Sequence, residues 1–177
     1  MISGAGTGIF DVSQMATDSS GNLYVTTKVS ASIGKILVFA SNAGTNAAPM
    51  QSITFNGGAI YGLSVDEDKN IYATEDLLTN ANGYTGGASV VEFAAGASGA
   101  AVPVNVISGL STGLGLAAAL HRDAAGNLYV MNGSAEFGPG ASYSVMGFLP
   151  SAAGDSAAAA TFSSSALTSP TGDIAIR

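Results

Sequence analysis

The sequence predicts an all-β protein built from about three repeats of a four-stranded antiparallel sheet. One motif recurs three times, as Asp18–Val25, Asp66–Ala73 and Asp123–Val130. Successive motif tyrosines lie 48 and 57 residues apart, a period typical of repeats that each form one small sheet. The chain also holds 24 glycines among 177 residues, as expected of many tight turns between short strands.

Each repeat contains the same four predicted strands, a to d. Strand a ends at the Asp of the motif: Val12–Asp18, Ile60–Asp66 and Leu116–Asp123. Strand b follows and begins with the Asn-Leu/Ile-Tyr of the motif. Strand c ends in Phe: Lys35–Phe39, Ser89–Phe93 and Ser144–Phe148. After a polar loop comes strand d: Met50–Phe55, Val102–Ser108 and Ala158–Ser164.

Strands b and c are apolar on both faces, as in Leu23–Val25 and Ile36–Phe39. A sheet with one solvated face would alternate apolar and polar residues. The pattern therefore predicts a β-propeller, in which neighbouring blades cover both faces of each sheet. A two-sheet sandwich with a tandem duplication and a β-solenoid are the alternatives. The predicted propeller segment spans residues 1–177 as a single domain, with blades at approximately 11–55, 60–108 and 115–164, and a partial blade at 171–177.

The two ends of the sequence predict partial strands. Residues 2–18 align without a gap onto residues 107–123, so we expect the chain to start within strand d of a preceding blade. Residues 169–177 resemble strand a of a fourth blade. Three full blades are fewer than the four to eight of a closed ring. An open or incomplete ring is therefore expected, to be closed by further blades of the same chain or by a homo-oligomer.

The turn between strands a and b has a physical logic. Gly21 and Gly126 can adopt a left-handed backbone without steric cost, and the Asp carboxylate can accept hydrogen bonds from turn amides. The second repeat has Lys69 at the glycine position. A side chain there costs on the order of 1 kcal/mol unless the turn differs.

Composition excludes several classes of function. Five basic residues are scattered among twelve acidic ones, for a net charge of −7, so binding to nucleic acid or to an anionic membrane is not expected. The absence of Cys excludes thiolate chemistry and disulfides. No apolar run is long enough to insert in a membrane. The first residues lack the pattern of a secretory signal, so a signal would have to lie upstream.

The motif segments resemble those of bacterial NHL-repeat β-propeller proteins. The strand Ile36–Phe39 and the segments Phe93–Pro103 and Ile107–Gly113 share this resemblance, whereas Lys69 departs from it. The resemblance implies about six four-stranded blades in a ring. It also implies an exported protein, in the periplasm, at the cell surface or outside the cell. Because the repeat motif is structural, the resemblance is unspecific as to activity, and sites have to be argued separately. We expect a binding or scaffolding module, with an enzyme as the alternative.

The loops between strands b and c vary most among the repeats, and loops on a rigid scaffold are where function concentrates. Their oxygen-bearing and aromatic side chains suit a carbohydrate, peptide or protein ligand, or a hard cation; plain solvated loops are the alternative. The candidate ligand-binding residues are Glu75, Asp76, Asn80, Asn82, Tyr84 and Glu136.

A second hypothesis is an enzyme with its site in the axial channel. Asp11, Gln14 and Asp173 lie near the starts of inner strands, where propellers direct side chains toward the axis. Propeller lactonases and lyases, which resemble this fold at a distance, hold a divalent metal there. Asp11 and Asp173 are the candidate metal ligands for such a metal-dependent hydrolase or lyase. The binding module needs no cofactor.

Two further features have structural explanations. His121 is the only histidine and lies next to Arg122 in a predicted inner strand, where a structural role is expected because no catalytic partner is recognisable. The segment Asp66–Asn70 resembles a calcium loop, but Ile71 and Leu77 occupy the positions where an EF-hand needs Gly and Glu. We therefore expect a hairpin turn there.

Overall fold

The structure, a computed structural model, describes residues 1–30, 33–55, 58–76, 87–133 and 142–167. The described chain forms three separate four-stranded antiparallel sheets and almost no helix. The predictions of an all-β protein and of three four-stranded repeats are therefore confirmed. No helix among the described residues is both long enough and apolar enough to span a membrane.

In each sheet the four strands are neighbours in chain order. Sheet I contains β1 (Asp11–Thr17), β2 (Leu23–Ser30), β3 (Ile33–Phe39) and β4 (Gln51–Phe55). Sheet II contains β5 (Ala59–Val65), β6 (Ile71–Asp76), β7 (Ala88–Phe93) and β8 (Asn105–Ile107). Sheet III contains β9 (Leu116–Arg122), β10 (Leu128–Gly133), β11 (Tyr143–Phe148) and β12 (Ala160–Ser163).

Strand β8 is shorter than the predicted strand Val102–Ser108. It covers only Asn105–Ile107. Just before it, the N–H of Val104 still donates to the backbone oxygen of Glu92 in β7, at 2.8 Å. Pro103 has no N–H to donate, so the ladder cannot extend through it.

The hairpin that joins the first two strands of each sheet is organised by one carboxylate. Asp66 accepts hydrogen bonds from the backbone N–H of Asn70 at 2.8 Å and from the side-chain amide of Asn70 at 3.1 Å. The hydroxyl of Tyr72 donates to the second Asp66 oxygen at 3.1 Å. Asp18 and Asp123 make the equivalent bonds in sheets I and III. The predicted turn role of these aspartates, including Asp66, is confirmed.

The hairpin of sheet II adopts the glycine geometry although it contains Lys69. The φ of Lys69 is 67°, against 77° at Gly21 and 89° at Gly126. The Lys69 N–H donates to the Asp66 carbonyl at 3.0 Å, as both glycines do to the equivalent carbonyls. A left-handed lysine is strained by about 1 kcal/mol. Its Nζ lies 3.7 Å from Asp18 Oδ2 in the neighbouring sheet, an attraction that offsets part of this strain.

Consecutive sheets stack through the second strand of one and the first strand of the next. Thr74 of β6 accepts the N–H of Gly62 at 2.7 Å and donates to the Ala117 carbonyl of sheet III at 2.8 Å. Thr26 makes the corresponding bond to the Tyr61 carbonyl of sheet II. A Cβ on Gly62 would lie 2.8 Å from the Leu120 backbone nitrogen, so only glycine permits this approach.

The loop after the third strand of a sheet joins the last strand of the preceding sheet. Gly99 exchanges backbone hydrogen bonds of 2.7 Å with Ser52 and Thr54 of β4. Gly154 does the same with Val106 and Ser108 at the end of β8, at 2.7 and 2.9 Å. These bonds join the fourth strand of one sheet to the next sheet. The threonines join the second strand of one sheet to the first strand of the next.

The N-terminal residues 3–10 have the structure of the connection that enters sheet III, residues 108–115. Ile2, however, lies in no strand, whereas its equivalent Ile107 belongs to β8, so the expected start of the chain within strand d is not observed. Each of the two segments contains a short 3₁₀ turn, Ala5–Thr7 in one and Leu110–Thr112 in the other. The hydroxyls of Thr7 and Thr112 donate to equivalent glycine carbonyls at 2.8 and 2.7 Å. The alignment of residues 2–18 with 107–123 is thus confirmed for this segment.

Removal of the Asp66 carboxylate should destabilise sheet II strongly. Asp66→Ala deletes the acceptor of three hydrogen bonds, each worth about 1 kcal/mol, and should lower the free energy of unfolding by about 2–3 kcal/mol in a urea titration. Asp68 is exposed in the same turn. Asp68→Ala should change stability by less than about 0.5 kcal/mol. Equal effects of the two variants would contradict the assigned role of Asp66.

Candidate functional site

The two ends of the stacked sheets differ. At the turn end, the three Asp-centred hairpins have one geometry. At the opposite end, which we call the loop end, the second and third strands are joined by connections of 2, 11 and 9 residues in sheets I, II and III, as counted between the strand bounds. The segments that enter β5 and β9 lie at this end too. The loop end is where the three sheets diverge.

The structure places three of the predicted site residues. Glu75 and Asp76 are the last two residues of β6, at the loop end of sheet II, so they belong to a strand and not to a loop. Asp11 is the first residue of β1. The other predicted site residues lie outside the described part of the chain: Asn80, Asn82, Tyr84, Glu136 and Asp173.

Glu75 is an unusual carboxyl group because it is only 3% exposed. It lies opposite Ile60 of β5 and Ser89 of β7. The Ser89 hydroxyl donates to Glu75 Oε2 at 2.9 Å. Glu75 Oε1 is fully buried and has no hydrogen-bond partner among the residues that the structure describes. A buried acceptor without a donor is costly, and a carboxylate more so than a neutral group.

The equivalent positions in the other sheets explain what Glu75 replaces. Thr27 of sheet I accepts the N–H of Phe10 at 3.0 Å. Asn132 of sheet III accepts the N–H of Gly115 at 2.8 Å and donates to the Gly113 carbonyl at 3.2 Å. Both neutral side chains fasten the segment that enters the first strand of their own sheet. Sheet II alone has an ionisable group here.

Burial raises the pKa of Glu75 above its ordinary value, and the hydrogen bond from Ser89 offsets part of this effect. The protonated acid is favoured because a charge in this apolar site would be poorly solvated. Sequence reasoning missed Ser89 as the partner of Glu75. Ser89 stands opposite Glu75 on the neighbouring strand, and this pairing can be recognised only when the register of β6 and β7 is known.

Asp11 and Gln14 do not form a shared site with Glu75. Asp11 is exposed and lies opposite Lys28 across the β1–β2 pair. The side-chain oxygen of Gln14 accepts the N–H of Leu63 at 2.8 Å and so links β1 to β5. In the part of the chain that the structure describes, no three His, Cys, Asp or Glu side chains gather as they would around a metal ion.

Arg122 is a charged residue in a predicted inner strand, and it contacts Tyr72 and Asp66 at the turn end. Its guanidinium lies 5.0 Å from the centre of the Tyr72 ring, and one nitrogen lies 3.8 Å from Asp66 Oδ2. A cleft of about 380 Å³ opens beside it, lined on both sides by the hairpins of sheets II and III. His121 is half-buried and lies opposite Tyr129.

The carboxylates of Asp18 and Asp123 are held in the ionised form, because hydrogen bonds in their hairpins lower the pKa of each. Burial alone would raise the pKa of Asp18, but hydrogen bonds from Asn22 and Ser20 outweigh it and lower that pKa. The side-chain amide of Asn127 lowers the pKa of Asp123. Burial, with the nearby Asp18 charge, raises the pKa of the Tyr24 hydroxyl to about 12. These groups are committed to the turn, so their carboxylates are not available as a ligand site.

No model of a known protein family matches the chain, and a comparison with curated proteins finds no match. The likeness to NHL repeats therefore stays a prediction from the motif residues. What the structure adds is the internal comparison of three sheets, which identifies position 75 as the point where sheet II departs from its neighbours.

The buried acid should make stability depend on pH. The folded state favours protonated Glu75, so the stabilisation is complete below the ordinary pKa of 4.5 and is lost as pH rises through the raised value. We expect the free energy of unfolding, measured in urea between about pH 4 and pH 8, to fall with rising pH. In Glu75→Gln this component should disappear.

Glu67→Gln is the matched control, because Glu67 is exposed in the hairpin of sheet II. It makes the same change from a carboxyl group to an amide at an exposed position, and the fall in stability with rising pH should remain. If Glu75→Gln and Glu67→Gln gave superimposable pH profiles, Glu75 would not be the titrating group.

Proposed function

We propose that the chain is a segment of an NHL-type β-propeller that serves as a binding or scaffolding module, with its ligand at the loop end. The observation that carries this proposal is the contrast between the two ends of the sheets. Three hairpins share one geometry at the turn end, while the connections at the loop end differ in length from 2 to 11 residues. Variable loops on a repeated scaffold are typical of recognition surfaces.

The stacking of the sheets supports the propeller architecture. The threonine bridges join β2 to sheet II and β6 to sheet III in the same way, and Gly99 and Gly154 join the outer edges in the same way. Both junctions therefore repeat one relation between neighbouring sheets. Successive blades of a propeller are related in this manner around an axis.

The ligand class follows from the side chains that the loop end brings together in sequence. The connection after β6 carries Asn80, Asn82 and Tyr84, and it begins one residue beyond the buried acid Glu75, after Asp76. An aromatic ring with amide groups suits the apolar face and hydroxyls of a carbohydrate, or the backbone of a peptide. Glu136 in the connection after β10 adds a carboxylate. A carbohydrate, peptide or protein ligand is the proposed partner.

The proposed location rests on the resemblance to bacterial NHL repeats. Because such repeats are expected in exported and cell-surface proteins, we propose that this protein lies in the periplasm, at the cell surface or outside the cell. The net charge of −7 disfavours binding to nucleic acid or to an anionic membrane surface. Fractionation of a bacterial host, with detection of the protein in the periplasm, at the surface or in the medium, tests this part.

Carbohydrate and peptide arrays test the binding function. The wild-type protein should bind a restricted set of ligands, and Tyr84→Ala should weaken that binding at least about tenfold, since loss of an aromatic anchor commonly exceeds 1 kcal/mol. Val102→Ala is the matched control. Val102 is exposed in the loop after β7, at the turn end, and its truncation should leave binding unchanged.

Two results would contradict the proposal. Arrays without any specific signal would favour a purely structural repeat. Hydrolysis or elimination activity that requires a divalent cation and is lost in Asp11→Asn would favour the metal-dependent enzyme instead. The unfolding midpoint of each variant, compared with that of the wild type, separates loss of function from loss of fold.

A further inference from the structure

The outer edge of sheet II carries a row of exposed valines. Val102 is 83% exposed, Val104 62% and Val106 37%. We call these three residues the valine ridge. The residues between them, Pro103 and Asn105, are half-buried. Proteins commonly place charged side chains along such an edge, so a row of apolar side chains there marks an interaction surface.

The valine ridge is specific to sheet II. Ile107, just after the ridge, corresponds to Ile53 and Phe162, because each pairs with the same position of the third strand of its sheet. Counted back from these residues, the ridge positions are Ala48, Met50 and Ser52 in sheet I, and Ala157, Ala159 and Thr161 in sheet III. Only sheet II has a branched apolar side chain at all three positions, so the repeated fold does not require the ridge.

The backbone that presents the ridge is held in place. The N–H of Val104, where the chain bends, donates to the Glu92 carbonyl at 2.8 Å. The side-chain amide of Asn105 donates to the Ala152 carbonyl at 3.1 Å, and the ring of Pro103 restricts its own φ. Association through the ridge therefore has to order little chain, and this lowers its entropic cost.

A partner at this edge has to contact side chains, because the backbone of β8 is already used. The Val106 carbonyl accepts the N–H of Gly154 at 2.7 Å, and the Ser108 N–H donates to the Gly154 carbonyl at 2.9 Å. A further strand therefore cannot pair along β8. Contact through the valines alone has no tendency to extend from chain to chain, as open strand edges do.

Charge decides which kind of partner fits the ridge. Residues 94–120 contain no Asp, Glu, Lys, Arg or His, so this stretch offers no charge to a nucleic acid, an anionic bilayer or a charged peptide. The chain as a whole has a net charge of −7. Two copies would repel each other elsewhere, and an uncharged apolar surface is where they can meet without facing like charges.

We propose that the valine ridge is the contact of a twofold dimer of this chain, with Val104 of one copy against Val104 of the other. The ridge reads the same in both directions, so a twofold rotation about Val104 also places Val102 against Val106 of the other copy. An interface that uses one patch on both copies closes at two. Because the ridge is small, the dimer is reversible, with a micromolar dissociation constant. The contact leaves the loop end free for its ligand.

Sedimentation equilibrium tests the contact. The wild type should form dimers, and Val104→Lys should raise the dissociation constant at least about tenfold, because it brings two ammonium groups face to face. Met50→Lys is the matched control. Met50 occupies the equivalent position in sheet I, also follows a proline, and is 61% exposed, against 62% for Val104. Met50→Lys makes the same change of charge and should dimerise like the wild type.

A charge-swap mixture tests the twofold geometry. Val104→Glu should dissociate as Val104→Lys does, because two carboxylates then face each other. An equimolar mixture of the two variants should form a heterodimer, since Glu of one copy meets Lys of the other, and added salt should weaken it. Recovery of association on mixing also establishes that both variants are folded.

Three results would overturn the proposal. A wild type that stays monomeric up to about 1 mM would leave the ridge to an unlike protein or to lipid. Equal dimerisation of Val104→Lys and Met50→Lys would place the contact on another surface. A mixture that stays monomeric would show that position 104 does not face its own copy.

Discussion

Each sheet of this protein is apolar on both of its faces, and the rest of the structure depends on this constraint. A four-stranded sheet with two apolar faces must have a neighbour on either side to bury them. The junctions meet this need with a core of aliphatic and aromatic side chains and with a threonine, Thr26 or Thr74, that satisfies backbone groups of both strands it touches. Polar groups inside the stack are thus used to join sheets.

The same logic separates scaffold from site. At the turn end, Asp18, Asp66 and Asp123 each receive backbone, amide and phenol donors, so the only repeated carboxylates of the chain are fully used in holding hairpins. At the loop end, Glu75 has an oxygen that receives no donor from the described part of the chain. Because the three hairpin carboxylates all have donors, the exception at Glu75 is informative. The exception lies where the three sheets cease to resemble one another.

Much of the fold could be predicted from sequence because the repeat supplies three independent copies of each signal. The hairpin aspartates, the strand order and the four-stranded unit are all set by local pattern, and the structure has them. Sequence could not show that Lys69 keeps the glycine geometry, since its compensating contact with Asp18 crosses between sheets. It could not show the burial of Glu75 either, because burial depends on which face of β6 meets sheet I.

The N-terminal segment has a consequence for how this architecture can be cut and recombined. Residues 3–10 hold the conformation of 108–115 through contacts with sheet I, such as the Ser3–Asn46 bond and the packing of Ile9, while Ile2 packs on the same sheet. The structure of the connection is thus determined by the sheet it enters. A transferable module would begin about ten residues before its first strand, and duplication or domain shuffling that respected this boundary would carry its own entry segment with it.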